Sequence, residues 1–458
     1  MNTEEKKHIY FVGAGGIGMA ALERYFLARG CKVAGYDRTP SDLTLQLAAE
    51  GVALAYDEDP ALIPSDFRDP SSTLVVYTPA VPDTHAGLRY FRDNGFETVK
   101  RAEVLGRVTR EKQALCFAGT HGKTTTSSMA AHLLKDAGVG CNAFLGGVLR
   151  NYGTNYLLDE KSDFAVIEAD EYDRSFHHLT PSVAVITSSD PDHLDIYGTE
   201  EAYLESFARF TELIRPGGTL LIHTGLKVVP RVGREVSILT YGLDSGDYHA
   251  ANIDVANGHI TFDMVTPGSV IRHISLGVPV EINIENAIAA CAAVCIAAGT
   301  RVSPDDVRRA MASFLGAKRR FEFYLREPGR AIIDDYAHHP DELKASIRSV
   351  RRLYPGRRLT VVFQPHLYSR TRDFAPQFAE ALSEADEVVL LPIYPARELP
   401  MPGVTSELIL SRVTCAVRHL AERSALADML AGIKPEILLT AGAGDINLLL
   451  PEITARLS

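Results

Sequence analysis

The sequence predicts an α/β protein built on parallel sheets. Short apolar runs recur from one end of the chain to the other, and each is followed at once by small or polar residues. Such uninterrupted runs are typical of strands buried on both faces, as in parallel sheets. Helical patterns, such as residues 129–137 and 343–353, lie between the runs. With 458 residues the chain has room for about three domains of ~150 residues each.

The predicted strands are residues 9–12, 32–35, 74–77, 115–118, 164–167, 183–186, 331–333, 359–363 and 437–439. Polar segments follow nearly all of them, among them GAGGIG, GTHGKTTT, EADEYD, TSSDPDHLD, DDYAHHP and QPHLYSRTR. Ligands of such sheets bind beyond the carboxyl ends of the strands. These polar segments are therefore the candidate binding and catalytic residues.

Composition and charge exclude several classes of protein. Lys and Arg number 47 against 58 Asp and Glu, and the net charge of −11 disfavours general nucleic-acid binding. No apolar run reaches the roughly 18 residues of a membrane-spanning helix, and the first residues lack a signal-peptide pattern. The six cysteines form neither a disulfide framework nor a CxxC pair. We predict a soluble, cytoplasmic protein without membrane insertion.

The pattern of elements divides the chain into three predicted domains, residues 1–107, 108–316 and 317–458. A charged stretch at 107–112 separates the first two, and the second closes near Gly316 after an Ala-rich helix. Between residues 216 and 279 the pattern changes to short alternating segments, which predict an antiparallel excursion within the central domain.

A first glycine cluster follows the first predicted strand. It contains Gly13, Gly15, Gly16 and Gly18, and Asp37 ends the next strand. Glycines in this spacing allow a tight turn and let backbone amides approach a pyrophosphate. The cluster predicts a phosphate-bearing ligand, although a merely structural turn would explain it too. By itself it would also suit an NAD-dependent dehydrogenase.

A second cluster, GTHGKTTT, is the most specific motif in the chain. Its loop residues are Gly119, Thr120, His121 and Gly122, followed by Lys123, Thr124 and Thr125. Backbone amides of such a loop wrap a phosphate, the lysine reaches the β and γ oxygens, and the first threonine hydroxyl can bind Mg²⁺. The motif is shorter than the strict P-loop, yet it predicts ATP binding.

Acidic residues after the next two strands suit a Mg²⁺ site at the same sheet edge. We predict Glu168 and His193 as ligands, and a helper or structural role for the other acids. Those acids are Asp170, Glu171, Asp192 and Asp195. Beside a phosphate loop, magnesium is favoured over zinc.

Further candidates lie downstream. Asn283 and Asn286 begin the Ala-rich helix, where they could read an adenine or cap the helix. Arg319 and Arg320 could reach ATP or remain solvated. The last segments contain Asp334, Asp335, His338 and His339, and then His366, Arg370 and Arg372. Two arginines near two histidines could form a carboxylate clamp, because guanidinium binds carboxylate bidentately.

Taken together, GTHGKTTT, EADEYD, SSDPDHLDIYG, NIENAIAA, RRFEF, DDYAHHP and FQPHLYSRTR resemble the Mur ligases in content and order, from about residue 9 to 445. The resemblance implies a Rossmann-like N-terminal domain for a UDP-sugar, a central P-loop ATPase domain and a Rossmann-like C-terminal domain for an amino acid. Within the family the pattern is most similar to members that join L-alanine to UDP-N-acetylmuramate with ATP and two Mg²⁺ ions.

The resemblance also implies roles for individual residues. The implied catalytic residues are Lys123, His193, His338 and Arg370. The implied ATP contacts are Gly119, Thr120, Gly122, Lys123, Thr124, Thr125, Asn286, Arg320 and Asp335. The UDP-sugar would contact Gly13, Gly15, Gly16, Gly18, Asp37, Thr78 and His121, and its muramoyl end and the amino acid would contact His338, His366, Arg370 and Arg372. Thr124, Glu168 and His193 would bind the metal.

Three departures from the family pattern stand out. Ile282 replaces a usual His before the Asn of the ATP motif, Ser188 and Ser189 replace Thr-Asn, and Leu367 replaces a frequent Arg. The compact spacing between EADEYD and DPDHLD favours the alanine-adding members over the murein-recycling peptide ligases. The competing interpretations are a dehydrogenase, a folylpolyglutamate-type ligase and a P-loop regulatory protein. Selectivity among Ala, Gly and Ser and the oligomeric state are left open.

Overall fold

The computed structural model describes residues 6–192, 194–256, 258–327, 329–396 and 398–457. The chain folds into two compact units. The first comprises Met1–Ala251, Met264–Arg272 and Glu285–Met311, and the second comprises Asn252–Asp263, His273–Ile284 and Ala312–Ser458.

The first sheet lies in the first unit and has the order β3-β2-β1-β4-β5, with all neighbouring strands parallel. Its strands are β1 (His8–Val12), β2 (Lys32–Tyr36), β3 (Ala53–Ala55), β4 (Thr73–Tyr77) and β5 (Glu97–Lys100). Its helices are α1 (Ile17–Ala28), α2 (Asp42–Ala49), α3 (Ala86–Asp93) and α4 (Arg101–Glu111). The first glycine cluster connects β1 to α1, so it lies at the carboxyl edge of this sheet.

A second sheet of the same unit has the order β12-β11-β10-β6-β9-β7-β8, and only the β7–β8 pair is antiparallel. Its strands are β6 (Gln113–Ala118), β7 (Asn142–Leu149), β8 (Thr154–Leu157), β9 (Phe164–Glu168), β10 (Val183–Ile186), β11 (Thr219–His223) and β12 (Ser237–Tyr241). Its helices are α5 (Lys123–Asp136), α6 (Leu194–Tyr197) and α7 (Glu200–Glu212). The phosphate-loop motif connects β6, an inner strand, to α5.

Along the chain, three further strands and two helices follow β12. They are β13 (His249–Ala256), β14 (His259–Val265), β15 (Val270–Ser275), α8 (Ile282–Ala298) and α9 (Pro304–Ser313). The three strands form a separate sheet. By length and composition the stretch Ile282–Arg301 could cross a membrane, but 67% of its most apolar window is buried in the protein, as in a core helix.

The sheet of the second unit has the order β16-β17-β21-β18-β19-β20, with only β16 and β17 antiparallel. Its strands are β16 (Glu322–Glu327), β17 (Arg330–Asp335), β18 (Leu359–Phe363), β19 (Glu387–Leu390), β20 (Val417–Leu420) and β21 (Ile437–Ala441). Its helices are α10 (Pro340–Leu353), α11 (Tyr368–Leu382), α12 (Glu407–Leu410), α13 (Leu426–Ile433) and α14 (Leu450–Leu457).

The predicted α/β class and all nine predicted strands are confirmed. The prediction of an antiparallel excursion over residues 216–279 is wrong for its first part, because β11 and β12 continue the parallel sheet. β12 is an edge strand in which four of the five residues are exposed or half-buried, so it lacks the continuous apolar run of a strand buried on both faces. Of the later part, Asn252–Asp263 and His273–Ile284 belong to the second unit.

Truncating a core side chain of β9 tests how far this sheet depends on packing. Ile167 is fully buried and pairs with strands on both sides. Ile167→Ala should lower the free energy of unfolding by about 2–5 kcal/mol, from lost burial and the cavity left behind. Urea unfolding followed by circular dichroism measures this. Ile238→Ala, on the edge strand and 48% exposed, is the control and should change stability little.

Candidate active site

The phosphate loop depends on two glycines with left-handed backbone conformations. Gly119 has φ +141° and Gly122, which precedes α5, has φ +83°. A Cβ atom at Gly119 would overlap the Thr187 hydroxyl, and one at Gly122 would lie 2.9 Å from Asn286 Oδ1. Any larger residue would therefore be strained and crowded at both positions. The loop brings the amino end of a 14-residue helix to the carboxyl edge of the sheet.

Lys123 is the first residue of α5, and its side chain folds back over the loop. Its Nζ donates to the carbonyl oxygens of Gly119 at 2.5 Å and Thr120 at 3.3 Å. It also forms an ion pair with Glu171 Oε1 at 2.8 Å. The ammonium thus lies at the predicted phosphate position, and its side chain is only 15% exposed.

Thr124 and Glu168 come together beside this lysine, as the sequence predicts. Thr124 Oγ1 donates to Glu168 Oε1 at 3.0 Å, and the amide of Gly146 donates to Glu168 Oε2 at 2.8 Å. Burial raises the pKa of Glu168, while the Gly146 amide and Lys123 lower it. A hydroxyl and a carboxylate oxygen are hard ligands of the kind that Mg²⁺ prefers, so this pair fits the predicted metal.

Hydrogen bonds hold the rest of the loop to residues that follow β10 and to α7. Thr120 Oγ1 donates to the Asp190 carbonyl oxygen at 2.6 Å and lies 2.8 Å from the Tyr203 hydroxyl. The amide of His121 donates to Ser188 Oγ at 2.7 Å. Ser188, one of the departures from the family pattern, therefore holds the loop by its side chain.

Asn286 contacts the start of α5. Its Oδ1 accepts a hydrogen bond from Thr126 Oγ1 at 3.1 Å, and the residue is buried. Thr125, next along the chain, is partly buried in the first turn of α5. The structure thus brings Asn286 to the phosphate loop from a distant part of the sequence. Ile282, another departure from the family pattern, is 58% exposed.

The first glycine cluster is tightly surrounded. The amide of Gly15 donates to Asp37 Oδ2 at 2.6 Å. A Cβ at Gly13 would lie 2.5 Å from Thr78 Cγ2, and one at Gly18 would overlap the guanidinium of Arg101. Asp37 and Thr78 therefore contact the cluster, and their contact with a UDP-sugar stays a prediction. The contacts of His121 described above lie instead at the phosphate loop.

A cavity of about 250 Å³ within the first unit extends from the first glycine cluster to Glu168. Gly16, Gly18 and Thr78 line it on one side, and Gly146, Glu168 and Asp170 line it on the other. Arg101 also lines it and lies 3.6 Å from Asp170. An elongated anion bound at the first loop could therefore extend to Glu168.

The second unit contains a separate polar cluster beyond β17 and β18. Asp335 accepts hydrogen bonds from the amides of Phe321 and Tyr336 and from the Ser346 hydroxyl. Burial raises its pKa. The guanidinium of Arg320 lies over the ring of Tyr336, 5.5 Å from its centre. In this structure Asp335 therefore holds its own segment together.

Two imidazole rings of this cluster lie near each other in a T-shaped arrangement. The rings of His338 and His366 are 6.1 Å apart, and His366 stacks on Tyr394 at 5.8 Å. Burial lowers the pKa of both histidines, and Arg370 lowers both further. Nδ1 of His338 lies 3.0 Å from the Tyr336 carbonyl oxygen, which fixes the proton on Nδ1 and leaves Nε2 as an acceptor.

The two arginines of the predicted clamp differ in their surroundings. Arg370 is close enough to His338 and His366 to lower the pKa of both. The side chain of Arg372 is 55% exposed and pairs with Asp373. Leu367, which precedes α11, has φ +70°, a conformation unusual for leucine.

His193 lies outside the described residues, so its predicted metal role is neither supported nor opposed. Within the described ranges no group of three or more His, Cys, Asp and Glu side chains forms a metal cluster. Sequence reasoning missed Gly146, Arg101 and Tyr203, and it gave Glu171 no partner. Only tertiary contacts identify them, although Gly146 in a Gly-Gly pair within a strand is a weak signal of close backbone approach.

Family models match the chain in three parts. Residues 8–113 match the Mur ligase family catalytic domain, residues 117–294 the Mur ligase middle domain, and residues 319–451 the glutamate ligase domain of Mur ligases. The chain belongs to the Mur ligase family, which confirms the resemblance seen in its motifs.

Particular relatives share its full length. The UDP-N-acetylmuramate–L-alanine ligase of Parabacteroides distasonis is 56% identical over 99% of this chain and 98% of its own. The enzyme of that name from Phocaeicola vulgatus is 54% identical over 100% of both chains. The crystal structure of UDP-N-acetylmuramate–alanine ligase MurC from Thermotoga maritima is 25% identical, has a TM-score of 0.78 and covers 98% of each chain.

The contact of Gly146 with Glu168 can be tested by adding a single methyl group. A Cβ at Gly146 would lie 2.6 Å from Glu168 Oε2 and closer still to Oε1, so Gly146→Ala must displace the carboxylate. We expect the Mg²⁺ concentration for half-maximal ATP-dependent activity to rise by about tenfold or more. Gly233→Ala, where the nearest atom to the new Cβ is 3.9 Å away, should leave it unchanged.

Proposed function

We propose that this protein is an ATP-dependent ligase that joins L-alanine to the lactyl carboxylate of UDP-N-acetylmuramate, a step of peptidoglycan precursor synthesis. The full-length identity to ligases of that name supports the substrates. The structural observation that carries the proposal is the phosphate loop. Lys123, Thr124 and Glu168 meet there, and a cavity leads from them to the first glycine cluster.

ATP is proposed to bind at the phosphate loop, with Gly119, Thr120, Gly122 and Thr125 around its phosphates and Asn286 nearby. Thr124 and Glu168, with His193, would hold Mg²⁺. The metal, in two ions, would supply positive charge against the triphosphate. Arg320 and Asp335 are proposed as further ATP contacts.

The sugar nucleotide is proposed to bind with its diphosphate at Gly13, Gly15, Gly16 and Gly18. Amides at the start of a 12-residue helix favour an anion there. Asp37, Thr78 and His121 are the other proposed contacts. The cavity gives the lactyl end a path towards Glu168.

The first chemical step is transfer of the γ-phosphoryl group of ATP to the lactyl carboxylate, which yields an acyl phosphate and ADP. Phosphoryl transfer needs in-line placement and neutralisation of charge more than covalent help from the protein. Lys123 supplies a positive charge beside the γ-phosphate. Because the ammonium is mostly withdrawn from water, its effect on that charge is larger than at the surface.

In the second step the amine of alanine attacks the acyl carbonyl and phosphate leaves. The amine must lose a proton, and His338 is the proposed acceptor through Nε2, since burial lowers the pKa of the ring and so favours its neutral form. His366, Arg370 and Arg372 are proposed to bind the carboxylate of alanine and the muramoyl end.

We propose the domain boundaries 1–107, 108–316 and 317–458 for the sugar-nucleotide, ATP and amino-acid domains. Both nucleotide substrates are charged and do not cross membranes unaided, so we propose that the reaction takes place in the cytoplasm. We also propose that the protein is not inserted in a membrane. A dehydrogenase and a P-loop regulatory protein are both disfavoured by family membership.

The proposed function is tested by measuring phosphate release with ATP and UDP-N-acetylmuramate across a panel of amino acids. Release should require both the sugar nucleotide and an amino acid, and L-alanine should give the highest kcat/KM. A tripeptide acceptor preferred over alanine would favour the murein-recycling ligases. Release without any amino acid would indicate a regulatory ATPase.

Removing the charge of Lys123 should abolish most of the activity. We expect Lys123→Ala to lower kcat by at least about 10²–10³-fold, the effect of losing one group that stabilises transition-state charge. The assay is the same phosphate release. Lys135→Ala is the matched control, since Lys135 is in the last turn of α5 and lies over the Tyr152 ring. Near-normal activity of Lys123→Ala would contradict the proposal.

Chelation tests the metal. EDTA should abolish phosphate release, and Mg²⁺ in excess should restore it, because the triphosphate charge would otherwise be unscreened. In the absence of Mg²⁺ the apparent affinity for ATP should also fall, measured by calorimetry. Full activity in EDTA would show that the Thr124–Glu168 pair serves another purpose.

A further inference from the structure

Glu171 is a buried carboxylate beside the phosphate loop with one functional partner. The residue is 1% exposed, and its Oε1 lies 2.8 Å from Lys123 Nζ. Its other oxygen, Oε2, accepts no hydrogen bond from any other side chain or backbone group of the described residues. Burial raises its pKa, and the charge of Lys123 lowers it. The carboxylate is thus kept away from water and directed at one ammonium group.

All three donors of the Lys123 ammonium are engaged. They go to the carbonyl oxygens of Gly119 and Thr120 and to Glu171. A phosphate bound in the loop must therefore replace at least one of these bonds. The two carbonyl oxygens belong to the loop that is proposed to wrap the phosphate. An ammonium bonded to them therefore lies where a phosphate oxygen would bind.

The bond to Glu171 differs from the other two in strength and in what its loss would leave behind. The carbonyl bonds join the charged ammonium to a neutral group, whereas the bond to Glu171 joins two opposite charges in a place withdrawn from water, where their attraction is stronger. Breaking it would leave a buried carboxylate without a counter-charge, which is strongly unfavourable. The carbonyl bonds are therefore the ones to be exchanged when the triphosphate binds.

The segment around Glu171 is held from several sides. Its carbonyl oxygen accepts from the Tyr197 hydroxyl at 2.5 Å and from the Arg174 amide at 3.0 Å. Asp173, two residues on, forms an ion pair with Lys100 at 2.9 Å. Asp173 and Arg174 are both in the left-handed region, with φ of 51° and 56°. Glu171 is therefore held in place, and the Lys123 side chain can change its other contacts while it stays bonded to Glu171.

We propose that Glu171 is a positioning residue for the proposed ligase reaction. It keeps its bond to the Lys123 ammonium while the loop carbonyl bonds are exchanged for oxygens of the γ-phosphate. The juxtaposition that carries this is a buried carboxylate, with no other side-chain partner among the residues that the structure describes, bonded to the phosphate-loop lysine. The inference rests on the proposed function, because it requires a nucleoside triphosphate at this loop.

The test compares two nucleotides on Glu171→Gln. Calorimetry in Mg²⁺ measures the affinity for the β,γ-imido analogue of ATP and for ADP, which lacks the γ-phosphate. We expect the analogue to lose about tenfold or more in affinity relative to wild type. The loss for ADP should be at least about fivefold smaller, since the oriented ammonium acts chiefly on the γ-phosphate. In ligation kcat should fall while the KM for the sugar nucleotide stays unchanged.

Further variants separate positioning from scaffold damage. Glu171→Asp keeps the charge on a shorter side chain and should lie between Gln and wild type. In the Lys123→Ala background, Glu171→Gln should have no additional effect on analogue affinity. Asp173→Asn is the matched control, because it removes a carboxylate from an ion pair in the same segment and asparagine tolerates φ near 51°. It should bind both nucleotides like wild type.

Three outcomes would overturn the inference. Equal losses for both nucleotides would indicate a scaffold role, tighter analogue binding would show that Glu171 competes with the phosphate, and an unchanged affinity would show no role. Circular dichroism identifies a variant that does not fold, in which case Glu171→Asp decides. A wild-type protein that binds neither nucleotide would refute the proposed function as well, whereas normal wild-type binding confines a failure to Glu171.

Discussion

The site depends on keeping a lysine ammonium charged and directed in a place largely withdrawn from water. Lys123 has this position because two left-handed glycines fold the chain back around it and Glu171 supplies an opposite charge from the strand β9 side. An isolated buried ammonium would tend to lose its proton. Glu171, at 2.8 Å, supplies the opposite charge that a buried ammonium requires.

The same sheet edge also explains how two anionic substrates could be brought together. β6 and β9 are neighbours and end next to each other, so the loop after β6 meets the carboxylate of Glu168, the last residue of β9. Gly16 and Gly18 of the loop after β1 line a cavity that also contacts Glu168, and Thr78 and Arg101 line it too. Excess negative charge is balanced locally by Lys123 and Arg101, although the whole protein carries a net charge of −11.

Prediction succeeded where one short segment contains the whole physical requirement. The phosphate loop is such a segment, since its glycines, lysine and threonine are consecutive and follow a buried strand. The nine strands are recognisable because continuous burial leaves continuous apolar runs. Prediction failed at β12, an edge strand whose largely exposed or half-buried residues give no continuous apolar run. The clamp stays a prediction for Arg372, whose side chain pairs with Asp373 in this structure.

The sequence by itself determined the family, the α/β class, and the loop that surrounds Lys123, because these follow from local pattern and backbone conformation. Only the tertiary structure decided which distant groups meet there. Asn286 approaches Thr126 across 160 positions, and Gly146 and Glu171 reach Glu168 and Lys123 from other segments. Such pairings depend on strand order and on burial of charge in three dimensions, and no spacing along the chain records them.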